Sequence, residues 1–297
     1  MKCLIYDSKN YLASRNLAVE EFLFGLADRS GCAILYLWQN DKAVILGRNQ
    51  NACDEVNLDV AQQFGIQVAR RMTGGGAVFH DLGNLNYTMI FPTACVKKDS
   101  MYTMLAGVFG KLGVTVSVGG RNDIYMGGFK ISGNAFYTNG RCYLHHGTVL
   151  VDSDLDMMNA VLCTPSGKMA RRSVKSVLAR VRNIKDVLPD ITVREIKLAI
   201  TEEYEKWADA VFGICPEEIQ VDGADIEGFL QKYNNPLWNF GNGKRYECEM
   251  EKRYGWGDAR IVYNQRNGIV TDVKIYTDSL EVDEVENAER NFIGKHI

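Results

Sequence analysis

Three short runs hold the residues best suited to chemistry. The first, Arg70-Arg71-Met72-Thr73-Gly74-Gly75-Gly76-Ala77-Val78-Phe79-His80-Asp81-Leu82-Gly83-Asn84, joins two guanidiniums and three glycines to a buriable Ala-Val-Phe stretch. Glycines let backbone N–H groups face a ligand at close range, and adjacent guanidiniums add fixed charge and forked donors. That chemistry suits a phosphate or a carboxylate. Neither GxGxxG nor GxxxxGK[ST] is present, and a strand rather than a helix follows, so this is not a dinucleotide fingerprint or a Walker loop. The second run, residues 122–135, places Lys130 on a strand between glycine-rich turns, with Ser132 and Asn134 on its face by the period of two. The third is His145-His146-Gly147-Thr148-Val149-Leu150, whose adjacent histidines point to opposite faces of a strand. Taken singly, each run also fits ordinary structure: a tight turn, a solvated strand edge, core histidines.

The rest of the composition sets limits. The chain has 297 residues, 46% of them hydrophobic, enough for one large domain or a large and a small one. Lys+Arg 34 against Asp+Glu 37 gives a charge of -3, so no global basic field points to nucleic acid and an anionic ligand must be met locally. The eight cysteines lack CxxC or paired spacing and the start lacks an apolar leader, which favours a reducing, cytoplasmic setting. No apolar run approaches the ~20 residues needed to span a bilayer. The four histidines form no metal-ligand spacing such as HExxH.

Periodicity supplies the elements that must position these groups. Residues 16–27 suit an amphipathic helix capped near Ser14 or Asn16. Residues 34–38 and 43–46 read as one hairpin, and 77–80 with 84–91 as a second. A helix is expected over 57–64 and a strand over 66–70 running into the glycine loop. A helix over 100–112 precedes strands 114–118, 123–126, 130–137 and 143–151, whose short connections favour antiparallel pairing. Helices follow over 154–162, 193–212 and 225–233, with residues 164–183 a basic segment without period. A meander over 246–254, 259–263 and 269–276 and an acidic helix over 281–290 close the chain. The fold class is therefore α+β, with mixed, largely antiparallel sheets and flanking helices. The small C-terminal unit, near the lower limit for independent stability, should lean on the main body.

Together the three runs resemble the lipoate–protein ligase family of the biotin/lipoate ligase superfamily. Its pattern RRxSGGGAVxHDxGN is matched by residues 70–84 with Thr73 for serine, NDI…GxKISGxA by residues 122–135, and HHGTLL by residues 145–150. Further similarity lies in Asn16-Leu17-Ala18-Val19-Glu20-Glu21, in Leu46-Gly47-Arg48-Asn49-Gln50-Asn51 and in residues 176–183, in the family's order. The tail is similar to the family's small accessory domain through Gly268-Ile269-Val270, Ile275-Tyr276 and Phe292-Ile293-Gly294, but shorter than in longer members, so a terminal element is expected to be missing.

The resemblance implies a catalytic domain over residues 1–245 and a shortened α+β accessory domain over 246–297. It implies activation of lipoate by ATP, with Mg²⁺, to lipoyl-adenylate, then acyl transfer to a lysine of an apo lipoyl domain. Such domains belong to 2-oxoacid dehydrogenase E2 subunits and the glycine cleavage H protein; a monomer with no nucleic-acid or membrane partner is implied. Lys130 takes the place between acyl carbonyl and phosphate, with Asp123 as its catalytic companion. Arg71, Lys130 and the amides of Gly75, Gly76, Ala77, Val78 and Phe79 hold the nucleotide phosphates and adenylate. Trp38, Arg71, His80, Lys130, Gly133, Ala135 and His146 form the lipoate site, and Asn122 and Asp123 orient Lys130 or ligate Mg²⁺. Burial of the aliphatic tail contributes ~0.8 kcal/mol per CH₂ and leaves only the carboxylate for polar recognition, so octanoate should be accepted too. The basic segment 164–183, with Lys168, Arg171, Arg172 and Lys175, is the expected lid over the hydrolysable anhydride.

Two rival readings accompany this one. A cysteine-dependent octanoyl- or lipoyltransferase on the same fold would work through a thioester at Cys142 or Cys163. A non-catalytic lipoate-binding module would keep the fold without turnover. Biotin is disfavoured as substrate because a GRGRxGR-type loop is replaced by residues 70–76.

Overall fold

The strands at 33–38, 43–46, 84–92 and 142–150 bury both faces, and the fold gives each of them two neighbours. In the computed structural model, which describes residues 1–95, 98–120, 122–163 and 181–297, the main sheet has eight strands in the order β11-β1-β2-β6-β10-β9-β8-β7. These are β1 (Cys3–Asp7), β2 (Ala33–Trp38), β6 (Asn84–Pro92), β7 (Val116–Gly119), β8 (Asp123–Met126), β9 (Phe129–Thr138), β10 (Cys142–Leu150) and β11 (Glu217–Glu218). A second sheet, ordered β4-β3-β5, comprises β3 (Ala43–Leu46), β4 (Gln67–Arg70) and β5 (Val78–His80). The third holds β12 (Cys248–Tyr254), β13 (Gly257–Arg266) and β14 (Ile269–Tyr276) as a meander.

The helices are α1 (Ala13–Ser30), α2 (Ala52–Glu55), α3 (Leu58–Gln63), α4 (Lys98–Lys111), α5 (Leu155–Val161), α6 (Val193–Phe212), α7 (Gly223–Tyr233), α8 (Pro236–Phe240) and α9 (Val282–Phe292). α6 shows why such helices form where they do. A capping box of Thr192 and Glu195 starts it, and Gly213 in the left-handed region ends it; a cap of this kind contributes ~1 kcal/mol. α4 and α6 cover one face of the main sheet, burying Leu35, Leu37, Tyr87, Met89 and Phe91. α1, α7 and the second sheet cover the other, where Leu17, Leu23, Tyr36, Trp38, Ile45, Ile90 and Leu144 form one cluster.

The antiparallel run from β7 to β10 and most helices lie where periodicity placed them. Both expected hairpins are corrected. β2 pairs with β1 and β6, whereas β3 pairs with β4 and β5, so no flank remains for β2 to pair with β3. β5 and β6 are likewise divided between the two sheets. The connection after β2 is pinned by Asn40, whose side chain meets Asn16 at 3.0 Å and His80 at 3.1 Å. The helix cap is corrected too. α1 starts at Ala13 without a side-chain cap, and Asn16, fully buried, instead donates to Asn10 O, Gln39 O and Asn40 Oδ1.

The C-terminal meander and α9 pack around Ile261, Ile275 and Val285. They touch the main body through Thr277 N–H to Asn49 O at 3.0 Å, through Arg48 with Glu286 at 3.2 Å, and through Arg260 with Asp54. Among the described residues no helix is long and apolar enough to cross a membrane.

Candidate active site

The three chemical runs meet where the main and second sheets come together. In β9 a bulge does the positioning: Ile124 pairs with Ser132 and Tyr125 with Lys130, which leaves Ile131 as an extra residue. The alternation is therefore broken, and Lys130 does not share a face with Ser132 and Asn134 as the period of two predicts. It lies instead on the side of Gly133, where an added Cβ would stand 3.0 Å from Lys130 Nζ. Asp123 Oδ1 accepts from that ammonium at 2.8 Å, and Asp123 Oδ2 accepts from the Tyr125 hydroxyl at 3.1 Å. Asn122 is committed to the backbone: its side chain donates to Asn134 O, and its own carbonyl accepts from Asn134 N and Nδ2.

These commitments do not build a metal site from protein groups. Mg²⁺ takes octahedral oxygen ligands, usually one or two carboxylates with substrate phosphates. Asp123 is the lone carboxylate beside Lys130 and is already paired, and no group of three or more His, Cys, Asp or Glu suits a metal among the described residues.

The glycine loop meets β9 from the second sheet. Gly75, at φ 94°, turns the loop so that its Cβ position would come within 3.9 Å of Ala135 Cβ. A side chain at Gly47 would collide with Gly75 O at 1.9 Å. Arg71 sits inside this turn rather than facing out of it. Its Nε donates to Thr73 Oγ1 at 2.9 Å, Nη1 to Ile45 O at 3.1 Å, and Nη2 to Gly74 O at 2.6 Å and Gly76 O at 2.9 Å. Burial lowers its pKa to about 10, which leaves it cationic at neutral pH. Arg71 therefore shapes the loop that was expected to cradle phosphate, and its fork is largely spent on carbonyls. Arg70 is spent similarly, on Gly47 O, Gln50 O, Trp238 O and Asn239 O. The Gly75 N–H is also taken, by Ser279 O at 3.0 Å. Ala77 leads into β5, the outer strand of its sheet, which carries Val78 and Phe79.

A hydrogen-bond chain continues from the loop to Trp38. Thr73 Oγ1 lies 2.9 Å from His146 Nε2, and His146 Nδ1 lies 2.8 Å from Glu20 Oε1. Thr88 Oγ1 donates to the same oxygen at 2.6 Å and accepts from Trp38 Nε1 at 3.0 Å. Trp38 stacks on Tyr36 at 5.7 Å and meets the His80 ring edge-on at 5.9 Å. Desolvation, with Arg71 and His146 adding to it, pushes His80 down to about 3, so it is neutral.

Hydrogen bonds and ring contacts thus join Trp38, His80, His146 and Thr73 of the loop, while Lys130 and Asp123 lie beside Gly133, two residues from the Ala135 that approaches Gly75. Glu20 and Thr88, which link His146 to Trp38, were not among the residues singled out from the sequence. A signal for Glu20 exists, since it lies three residues after Leu17 and four before Phe24, inside the apolar stripe of α1. The lid expectation rests on residues of which 164–180 lie outside the described ones. At its described end Arg182 N–H donates to Lys130 O at 3.0 Å, and the Arg182 guanidinium stacks on Phe129 at 4.8 Å.

The candidate nucleophilic thiols are not activated. Cys142 is buried, donates to Phe91 O at 3.4 Å, and burial pushes its pKa up to about 11. Burial also raises that of Cys163. A thioester nucleophile needs the opposite shift.

Comparison with known proteins identifies the relatives of this chain. The family model of the lipoyl protein ligase A/B catalytic domain matches residues 13–205, and that of the bacterial lipoate protein ligase C-terminus matches residues 244–297. A lipoate-protein ligase A of Psychrobacter cryohalolentis is 32% identical over 278 residues, covering 91% of this chain and 82% of the relative. Among solved structures, P. falciparum LipL1 in complex with lipoate superposes with a TM-score of 0.87 at 25% identity, covering 99% of this chain and 90% of that one. A lipoate-protein ligase A bound with ATP gives a TM-score of 0.66 at 28% identity, covering 81% of this chain and 98% of that one. A bi-partite lipoate protein ligase from Thermoplasma acidophilum, described with its E2 lipoyl domain, gives 0.67 at 29% identity, covering 83% and 98%.

Proposed function

We propose a site assignment for a chain that belongs to the lipoate–protein ligase family, on the premise that membership supplies the reaction. The protein activates lipoate with ATP to lipoyl-AMP and transfers the lipoyl group to a lysine of a lipoyl domain. In the first step a carboxylate oxygen bonds to the α-phosphorus as the bond to pyrophosphate breaks. Two anions must meet, so fixed positive charge has to be in place beforehand.

Lys130 is the group we assign to that task. Its ammonium, aligned by Asp123 at 2.8 Å, lies over Gly133 on the strand whose Ala135 meets the glycine loop; this juxtaposition carries the reading. Amides of Gly76 and Ala77, with whichever of Val78 and Phe79 turns its N–H away from β3, face the phosphates, Gly75 joins them when Ser279 withdraws, and Arg71 keeps the loop in shape. The tail lies along Ala135, His146 and Trp38. In the second step the acceptor amine attacks the acyl carbon, AMP leaves, and the amine's proton goes with the departing phosphate or solvent. Mg²⁺ entering with the nucleotide would supply further positive charge at the phosphates.

Residues 1–245 form the catalytic unit and 246–297 the accessory unit of a monomer, with apo lipoyl domains of E2 subunits and the H protein as acceptors. The buried, high-pKa thiol of Cys142 disfavours the thioester alternative. Pyrophosphate release on adding lipoate and ATP tests the assignment: release lost in Lys130→Ala supports it, and unchanged release overturns it.

A further inference from the structure

The carboxylate that pairs with Lys130 is held at both oxygens, and Tyr125 holds the second. Two neighbouring rows across β7, β8 and β9 build this arrangement. Gly119, Asp123 and Gly133 stand in register in one row, and Ser117, Tyr125 and Lys130 in the next. Residues two apart on a strand share a face, so Asp123 and Tyr125 emerge on the same side. The β9 bulge completes the second row. With unbroken pairing beyond Ile124 and Ser132, Tyr125 would oppose the fully buried Ile131 instead of Lys130.

Glycines flank Asp123 in its row, and that leaves room for its two partners. The Lys130 chain leans over Gly133, where an added Cβ would stand 3.0 Å from Nζ and 3.1 Å from Cε. The Tyr125 ring leans the opposite way over Gly119, where an added Cβ would stand 3.1 Å from Cε2. Both tips converge on one carboxylate: Oδ1 accepts from Lys130 at 2.8 Å and Oδ2 from the Tyr125 hydroxyl at 3.1 Å. Burial, and then the Asp123 charge, raise the Tyr125 pKa, so the phenol keeps its proton and donates.

A carboxylate gripped at one oxygen turns easily about its Cβ–Cγ bond, because that torsion is broad. An ammonium has three donors; Asp123 takes one and thereby aims the other two. Resting on the assignment of Lys130 to adenylate formation, we propose that Tyr125 is a positioning residue: its hydroxyl locks the Asp123 carboxylate, which in turn aims the Lys130 ammonium at the oxygens that must be brought together. Tyr125 acts through Asp123 alone, without touching acid or nucleotide.

Tyr125→Phe keeps the ring over Gly119 and removes only the hydroxyl. In the full chain, kcat for pyrophosphate release should fall on the order of tenfold, less than in Lys130→Ala, with KM for ATP and lipoate little changed. Adding Tyr125→Phe to Asp123→Ala should cost nothing further, since the two act as one unit. Unchanged kcat in Tyr125→Phe alone, or a full additional loss in the Asp123→Ala background, overturns the proposal. Nuclear magnetic resonance of the lysine ammonium groups reads the alignment without turnover. The Lys130 signal, recognised by its loss in Lys130→Ala, should become more mobile and exchange faster with water in Tyr125→Phe. An ammonium equally ordered in both proteins overturns the proposal even if turnover falls. Pyrophosphate release unaffected by Lys130→Ala defeats the assignment of Lys130 instead, while the ammonium signal still decides whether Tyr125 positions it.

Discussion

Gly75 gives its backbone N–H to the carbonyl oxygen of Ser279, 3.0 Å away, so the connector that leads into the last helix roofs the middle of the triglycine loop. Gly74 has room for this only because it lacks a Cβ, which would stand 2.2 Å from the same oxygen. A phosphate held by the Gly75 amide must displace Ser279. Hydrogen exchange on residues 277–286 should therefore quicken when ATP and lipoate are added together; unchanged or slower exchange there would contradict the displacement.

Lys130 and Asp123 divide charge and alignment between them. Lys130→Ala should lower adenylate formation by about 10²–10³-fold, the loss typical of one preorganised electrostatic group. Asp123→Asn keeps the ammonium and loosens its direction, so kcat should drop less, with KM for ATP little changed. Single-turnover kinetics separate the two; equal losses in both variants would argue for a purely structural pair.

Thr73 joins Arg71 to His146, accepting from one and lying 2.9 Å from the other. Thr73→Val leaves both partners buried and unmet, at a cost of about 1–3 kcal/mol in stability and a weaker grip on ATP. Thr73→Ser should restore both. Denaturant midpoints and KM for ATP measured across the pair check this.

Glu55, at the end of α2, is raised to about 7 by burial, then by Asp54 and Asp278. The unfolded carboxyl ionises near 4.5, so its contribution favours folding below that pH and is lost as pH rises toward 7. Glu55→Gln should thus stabilise the protein at pH 8, by on the order of 1–3 kcal/mol, and do nothing at pH 4. Denaturant melts at the two pH values decide it, and a variant less stable at pH 8 would show that the charge is used.

The sequence was most legible where residue types are chemically demanding. Lys130, His146, Trp38 and the glycine loop were assembled from motifs, and the fold brings Thr73 of that loop to His146 and Gly75 toward Ala135. Tertiary pairing was less legible. A strand such as β2, buried on both faces, carries no sign of which neighbour it takes, so proximity suggested hairpins that the two sheets divide between them. Nor does alternation announce a bulge: Ile131 is one extra residue, and it moves Lys130 to the face of Gly133. Arg71 shows the limit of reading charge from sequence, because its hydrogen bonds turn inward to Ile45, Gly74 and Gly76.

The central claim is tested most directly by weighing an apo lipoyl domain after incubation with the full chain, ATP, Mg²⁺ and lipoate. The acceptor should gain the mass of one lipoyl group on a single lysine, only when ATP is present and not with Lys130→Ala. Modification that proceeds without ATP, or that survives loss of the Lys130 ammonium, would contradict the account.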